Sequence, residues 1–164
     1  MAIGSAFGGG YYAGKISTSA DGVATHYLVV ASKSGGETTN KRWKGGAYAS
    51  GATSRINGPA NQTTSISNLG SNAVICTWAD NLGIGGYTDW YIPARDELQV
   101  LYYFLKPTTD TNNTGHGSNA YAVSPNPIST NYTSGSPAQT SVASFQSGAM
   151  SEELMGAYYG GIGR

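Results

Sequence analysis

The sequence predicts an α+β fold in which two helices pack on short antiparallel strands that long ordered loops connect. Three observations support this prediction: an apolar strand at residues 26–31, an apolar helical stripe at residues 98–105, and abundant loop-forming residues. The chain of 164 residues contains 24 glycines and 12 tyrosines, and only 11% of its residues are charged. Because aliphatic residues are sparse, aromatic side chains must supply much of the buried area. We expect one domain spanning residues 1–164.

Two short strands are predicted near the N-terminus. Residues 7–16, FGGGYYAGKI, combine a glycine-rich turn with a strand, and residues 26–31, HYLVVA, are β-branched, aromatic and almost continuously apolar. The polar segment STSADGVA lies between them, so we expect a hairpin. Residues 32–70 are rich in Gly, Ser, Thr and Asn, and we interpret them as long loops with at most one short strand.

The first helix is predicted at residues 71–82. Ser71 is a candidate N-cap, and Gly83 is expected to supply the left-handed residue at the C-terminal end. Cys76, the single cysteine, excludes an internal disulfide and is interpreted as a small buried apolar residue of this helix. The apolar face repeats at helical spacing through Val74, Ile75, Trp78 and Leu82.

The second helix is predicted at residues 94–106. Pro93 precedes it and Pro107 ends it, because proline cannot continue a helix and restricts the residue before it. Its apolar stripe follows the i, i+3, i+4, i+7 pattern through Leu98, Leu101, Tyr102 and Leu105.

Residues 107–148 are predicted to be a long loop region within the domain. Four of the six prolines lie there, and Asp110 is its only charged residue. Low charge and interspersed aromatic residues favour ordered loops, and such loops in a compact domain usually carry function. Further along, a short helix is predicted at 151–155, close to Glu152 and Glu153.

The two ends of the chain share a glycine- and tyrosine-rich pattern. GGGYYAGKI at 8–16 is similar to MGAYYGGIG at 155–163. Both segments are predicted to be short strands, which pair with each other or with equivalent strands of neighbouring subunits. A shared Gly/Tyr bias alone is the alternative explanation.

Composition argues against several classes of function. The formal net charge is zero and the basic run at 41–44 is short, so the chain lacks the positive patch that nucleic acid requires. No apolar run approaches the roughly 18 residues that a membrane-spanning helix needs. The N-terminus lacks the pattern of a signal peptide, so we expect synthesis in a host cytoplasm without membrane insertion.

The residues offer little support for catalysis. His26 begins a strand and His116 lies 90 residues later in a glycine-flanked loop, so neither has an evident catalytic partner. Asp96 and Glu97 fall in the first turn of the second helix, where negative charge stabilises the exposed N–H groups. Asp89 is expected to bond the preceding turn or to pair with Arg95. We therefore expect no enzyme, metal site or cofactor.

Binding is the better hypothesis. Loops rich in Tyr, Trp, Asn, Ser and Gly provide rigid aromatic contacts and adaptable hydrogen bonds, which suit protein surfaces and sugars. The alternative for each residue is that it only satisfies the backbone of its own loop. The candidate ligand-binding residues are Trp43, Tyr48, Arg55, Asn112, Asn113, His116, Asn119, Tyr121 and Tyr132.

The segment GYTDWYIPARDEL at 86–98, following the predicted helix SNAVICTWADNL, resembles a known family. This is the Legionella collagen-like C-terminal domain family, also called DUF1566, of the C-type-lectin-like superfamily. The segments AFGGGYYAGKI, YLVVASKSGGE, INGPANQTTSISN, FLKPTTDTNNT and NYTSGSPAQTSVASFQSG are similar to phage tail-fibre and virion members. The resemblance implies a C-type-lectin-like fold in which Asp89, Trp90, Pro93, Asp96 and Glu97 form a structural motif.

The chain departs from the family in two places. Ala94 replaces the usual Ser or Thr after the motif proline, so Asp89 or the backbone must substitute for the missing cap. The usual C-terminal W-S-S-T strand is also missing, which implies a shortened domain, a replacement strand within residues 155–164, or a partner chain that completes the sheet. The calcium-lectin signatures E-P-N, Q-P-D and W-N-D do not occur.

The resemblance implies a virion protein at a phage fibre tip or particle surface. Its partners would be a host-surface glycan or protein and other virion proteins, and the chain would form homo-oligomers, with a trimer favoured. One alternative is an assembly or capsid-decoration protein that binds no receptor. Another is a bacterial surface adhesin domain.

Overall fold

The computed structural model describes residues 1–111, 118–123 and 132–146, together with the backbone of residues 162–163. The described chain is α+β, with short helices beside a four-stranded antiparallel sheet in the order β1-β2-β3-β4. The predicted fold class is therefore confirmed at this level.

The sheet is built around the predicted hairpin. Its strands are β1 (Ala6–Phe7), β2 (Gly10–Ile16), β3 (His26–Val30) and β4 (Ile162–Gly163). β2 and β3 pair antiparallel from Tyr11 opposite Val30 to Ile16 opposite His26, which confirms the hairpin. β4 pairs with β3, with Ile162 opposite Val30, so the described end of the chain does not pair with its N-terminal counterpart in β2.

Four α-helices lie among the described residues. They are α1 (Lys33–Gly36), α2 (Gly58–Leu69), α3 (Val74–Asp80) and α4 (Arg95–Phe104), and 3₁₀ turns occur at Gly70–Asn72 and Ala143–Phe145. The helix predicted at 94–106 is confirmed as α4, with slightly shorter ends. The helix predicted at 71–82 is confirmed as the shorter α3.

Both end signals proposed for the first helix are wrong. Ser71 lies inside the 3₁₀ turn, and Ala73 occupies the N-cap of α3 without a side-chain hydrogen bond. The helix ends at Asp80, before Gly83, and Gly83 does not adopt a positive φ. The left-handed residues come two positions later, at Gly85 and Gly86.

The interpretation of residues 32–70 as loops is wrong at α2, which occupies the last part of that segment. Asn57 caps it by accepting a hydrogen bond from the backbone N–H of Ala60 at 3.1 Å, and Pro59 lies in its first turn. Its buried residues are Gly58, Gln62, Ser65 and Leu69. Only one of these four is a large apolar residue, so the buried face of α2 does not show the apolar repeat that predicts an amphipathic helix.

The core lies on both faces of β3. Leu28 and Val30 join a cluster with α4, while Val29 points to the opposite face and packs with Ala31 and Trp90. This division follows from the alternation of side chains along a strand. The first cluster comprises Ala13, Ile16, Leu28, Val30, Tyr91, Val100, Leu101, Leu105, Ala122 and Phe145.

α4 packs closely on β2 because a glycine lies at the contact. The strand register shifts between Tyr12 and Gly14, and Gly14 has a φ of +131°. A Cβ at this position would lie 2.8 Å from Val100 Cγ1 and 3.0 Å from Phe104 Cδ2. Glycine therefore permits both the bulge and the close approach of the helix.

The described parts of the predicted long loop region are attached to the end of α4. Lys106 is fully buried, and its ammonium donates to the backbone carbonyls of Thr133 and, at 3.2 Å, Pro137. The N–H of Thr140 donates to the Lys106 carbonyl at 2.8 Å. The helix predicted at 151–155 lies outside the described residues.

Candidate binding surface and its scaffold

The segment at 86–98 is mainly scaffold. Trp90 and Tyr91 are each only 1% exposed, on opposite sides of the sheet. Glu97, which is also buried, accepts hydrogen bonds from the N–H of Ala94 at 2.7 Å, the N–H of Gly58 at 3.1 Å and the hydroxyl of Tyr91 at 3.2 Å. One carboxylate therefore joins the starts of two helices to the motif.

This arrangement explains how α4 begins without a capping side chain. Ala94 occupies the N-cap, and the third helical residue, Glu97, reaches back to its N–H. That contact is the Glu half of a capping box, and it places negative charge at the positive end of the helix dipole. Glu97 lies in the first turn of the helix as predicted, and its side chain, rather than Asp89 or the backbone alone, compensates for the missing cap.

Asp96 is buried between two arginines. Its carboxylate lies 3.1 Å from Arg95 Nε and 3.3 Å from Arg55 Nε, and its N–H donates to the Arg55 carbonyl at 2.8 Å. The predicted pairing of Asp89 with Arg95 is not observed, since Asp89 is exposed and Arg95 pairs with Asp96. Arg55, proposed as a ligand-binding residue, helps to attach its loop to α4, and its side chain is 53% exposed.

A buried glutamine connects α2 to the motif. The Gln62 amide donates to the Trp90 carbonyl at 3.0 Å and to Asp80 Oδ1 at 3.3 Å, and its oxygen accepts from the N–H of Ile92 at 3.1 Å. It satisfies one backbone carbonyl and one backbone N–H of the motif, which polar groups removed from water require. This role could not be predicted from the sequence, because a lone Gln in a polar stretch carries no distinguishing signal.

Beside this scaffold lies an open groove of about 310 Å³. Its walls come from the loop before α2, from α2 and α3, and from the Ile92–Pro93 step of the motif. Trp43 is 65% exposed at its edge, and Tyr48 on the same loop is 62% exposed. The lining residues are Trp43, Lys44, Ser50, Ala52, Asn61, Gln62, Ser65, Leu69, Cys76, Ile92 and Pro93.

The loop that carries these aromatic residues is held by amide side chains. Asn61 both accepts from the N–H of Ser54 at 2.9 Å and donates to its carbonyl at 2.7 Å. Asn68 donates to the Ser50 carbonyl at 3.1 Å, and Lys44 donates to the Tyr48 carbonyl at 2.6 Å. The loop is therefore ordered by its own polar contacts, while the rings of Trp43 and Tyr48 remain largely exposed.

Cys76 lines the floor of this groove rather than the core. Its side chain is partly buried, and burial raises the pKa of its thiol above the ordinary value, opposed by a hydrogen bond with Ser65. A thiol that stays protonated is a weak nucleophile. Its predicted position in a helix is confirmed, and its burial is incomplete.

Three other candidates lie in or against the core. Asn119 is buried and donates to the Asp96 carbonyl at 2.7 Å, and its oxygen accepts from the N–H of Tyr121 at 3.0 Å. Tyr121 is partly buried against the first core cluster. Tyr132 is 4% exposed and stacks on Tyr102, with ring centroids 5.8 Å apart. The structure therefore does not bring Asn119, Tyr121 and Tyr132 to the surface with Trp43.

Burial also changes the chemistry of Tyr132. Desolvation, with smaller contributions from the neighbouring Tyr103 and Tyr102, raises its pKa to about 12. Its hydroxyl therefore stays neutral at an alkaline pH at which an exposed tyrosine already ionises. The remaining candidates Asn112, Asn113 and His116 lie outside the described residues.

Within residues 1–111, 118–123 and 132–146, no group of three or more His, Cys, Asp and Glu side chains could hold a metal ion. None of the helices in those same ranges combines the length and apolar character needed to cross a bilayer.

Comparisons with protein-family models, with curated proteins and with solved structures found no match to this chain. Its function is therefore inferred from its residues and their geometry.

Proposed function

We propose that this chain is a non-enzymatic, C-type-lectin-like virion protein of a phage, located at a fibre tip or on the particle surface. It would bind a host-surface glycan or protein through the groove edged by Trp43. The resemblance of residues 86–98 to the DUF1566 family, and of segments such as AFGGGYYAGKI and NYTSGSPAQTSVASFQSG to its phage virion members, supports the choice of class. The position of the groove beside that motif supports the choice of surface.

The exposure of Trp43 and Tyr48 carries this proposal. Large aromatic side chains on an ordered loop provide contact area at little entropic cost, which is why they are enriched at binding surfaces. Apart from Lys44, the described lining of this groove is uncharged. The surface therefore suits a neutral ligand that offers apolar faces and hydroxyl or amide groups.

Adsorption of the purified protein to host cells tests the proposal. Trp43→Ala should weaken adsorption by about 30-fold or more, since a central aromatic contact at an interface is worth roughly 2 kcal/mol or more. Val23→Ala is the matched control, because Val23 is 64% exposed but does not line the groove. Equal adsorption by both variants and the parent protein would contradict the proposal.

The same experiment separates the alternatives. A protein that binds no host cells but co-assembles with virions would be an assembly or capsid-decoration protein. Adhesion by the protein displayed on a bacterial surface, without any co-assembly with virions, would favour the adhesin. Sedimentation measurements of the purified chain test the proposed trimer directly.

A further inference from the structure

A second exposed aromatic surface lies away from the Trp43 groove. Phe7, Tyr27 and Tyr87 are 39%, 46% and 47% exposed, and they line an open groove of about 250 Å³ with Gly8, Thr25, His26 and Val29. The three rings come from β1, from β3 and from the turn that precedes Trp90. They are distant in the sequence, and nothing in the proposed function uses them.

Two glycine turns position the residues that carry two of the rings, Phe7 and Tyr87. Gly8–Gly9, with φ values of +57° and +80°, join Phe7 to its strand partner, and Gly85–Gly86, with φ values of +62° and +84°, close the turn that ends at Tyr87. These are the signatures of two-residue type I′ turns. A Cβ on Gly85 would overlap the Cα of Gly9, so the turns pack backbone against backbone.

The motif tryptophan also supports this surface. Trp90 Nε1 donates to the Tyr87 carbonyl at 3.1 Å, and Trp90 itself is buried. Tyr87 is therefore held by its turn on one side and by the core on the other. Such preorganisation lowers the ordering cost of binding a ligand.

Two of the three groove rings, Phe7 and Tyr27, lie at right angles, with centroids 6.0 Å apart and an interplanar angle of 88°. Behind the groove, the buried Tyr12 meets Tyr27 at 81° with centroids 5.8 Å apart, which supports the Tyr27 ring. The Lys15 ammonium lies over the Tyr27 ring, 6.0 Å from its centroid. Perpendicular walls suit a compact group rather than a flat ring that stacks on one face, and the Tyr27 ring already attracts a cation.

We propose that this groove binds a quaternary ammonium group. Aromatic faces attract organic cations, and a trimethylammonium group presents methyl groups to several rings at once. The described lining contains no carboxylate, so the rings would supply the attraction. A groove of about 250 Å³ edged by three partly exposed rings fits a small group, whereas a stable protein interface buries roughly 800 Å² per partner. The inference does not depend on the chain being a virion protein.

Titration of the whole protein with choline, followed by NMR shifts of the aromatic ring protons, tests the charge requirement. The neutral isostere 3,3-dimethylbutan-1-ol has the same shape and should bind at least about tenfold more weakly, since several cation–π contacts of 0.5–1 kcal/mol each are lost. Equal affinities would show a merely apolar groove and overturn the proposal. Stronger shifts with methyl glycosides than with choline would also overturn it.

Ring variants locate the site. Tyr87→Phe should keep the choline affinity, whereas Tyr87→Leu should weaken it about two- to fivefold, the loss of one ring at 0.5–1 kcal/mol. Lys15→Gln should strengthen it, because the competing ammonium is removed. Val23→Ala, outside both grooves, is the control. Thermal unfolding verifies that each variant is folded; if Tyr87→Leu is not, Phe7→Leu replaces it.

These results are distinguishable from failure of the proposed function. Choline binding without host adsorption would support this inference alone, and adsorption that depends on Trp43 but not on Tyr87 would support only the first groove. Unchanged choline affinity in a folded Tyr87→Leu variant, or in the folded Phe7→Leu variant that replaces it, would place the cation elsewhere and overturn the inference.

Discussion

Removal of the Glu97 carboxylate is expected to destabilise the fold more than any surface change. Glu97→Ala leaves the N–H groups of Ala94 and Gly58 and the hydroxyl of Tyr91 without their acceptor. Hydrogen bonds to charged groups contribute about 1.5–3 kcal/mol each, so the two amide bonds alone give about 3–6 kcal/mol. Domains of this size are stable by only about 5–15 kcal/mol, so the variant should lose a large fraction of its stability.

Urea denaturation followed by circular dichroism measures this loss by linear extrapolation. Glu97→Gln should lower the free energy of unfolding less, by about 1–3 kcal/mol, because the amide oxygen can still accept a hydrogen bond. Some loss is expected because the amide NH₂ is a donor and cannot accept from the remaining donor groups. Asp89→Ala is the matched control: it removes an exposed carboxylate from the same motif and should change the free energy of unfolding by less than about 0.5 kcal/mol. A cost below about 1 kcal/mol for Glu97→Ala, with an unchanged denaturant slope, would refute the proposed linkage.

Two further predictions concern a turn and a buried ring. Gly83→Ala should be nearly neutral, because its site is open and its φ is not positive, whereas Gly86→Ala, also in open space but at φ +84°, should cost about 1 kcal/mol. Gly85→Ala should lower the free energy of unfolding more than either of these variants, since its methyl group would overlap Gly9. Equal losses for all three variants, measured by urea denaturation, would contradict the packing of the two turns against each other. Tyr132 has its pKa raised from about 10 to about 12, so stability should fall as pH rises from about 10 through 12. Tyr132→Phe should abolish that part of the decline, and an unchanged high-pH profile would contradict its burial.

The sequence predicted the parts of the fold whose hydrophobic period is visible. β3 is continuously apolar and α4 carries a regular apolar stripe, so both lie where expected. α2 was missed because its buried face uses Gln62 and Ser65 in place of apolar residues. Its end signals were nevertheless present, with a capping Asn57, an early Pro59 and a terminal Gly70 at φ +53°. Cap chemistry would have found this helix where periodicity could not.

Candidate site residues were harder to predict because composition does not distinguish exposed from buried aromatic residues. Trp43 and Tyr48 lie in a polar loop and are exposed, as a binding role requires. Tyr132 lies in an equally polar stretch and is buried, because two tyrosines of α4 pack against its ring. The partner that decides its burial is about thirty residues away in the chain, beyond any local pattern.

The motif at 86–98 connects the two proposed surfaces physically. Glu97 and Gln62 attach α2, which forms a wall of the Trp43 groove, while Trp90 holds the carbonyl of Tyr87 beside the second groove. A change at Trp43 or at Tyr87 should therefore affect one surface and leave the other intact. A change at Glu97 should weaken both together, because it acts through the fold that positions them. Loss of only one activity in a Glu97 variant that remains folded would mean that the two surfaces are positioned independently.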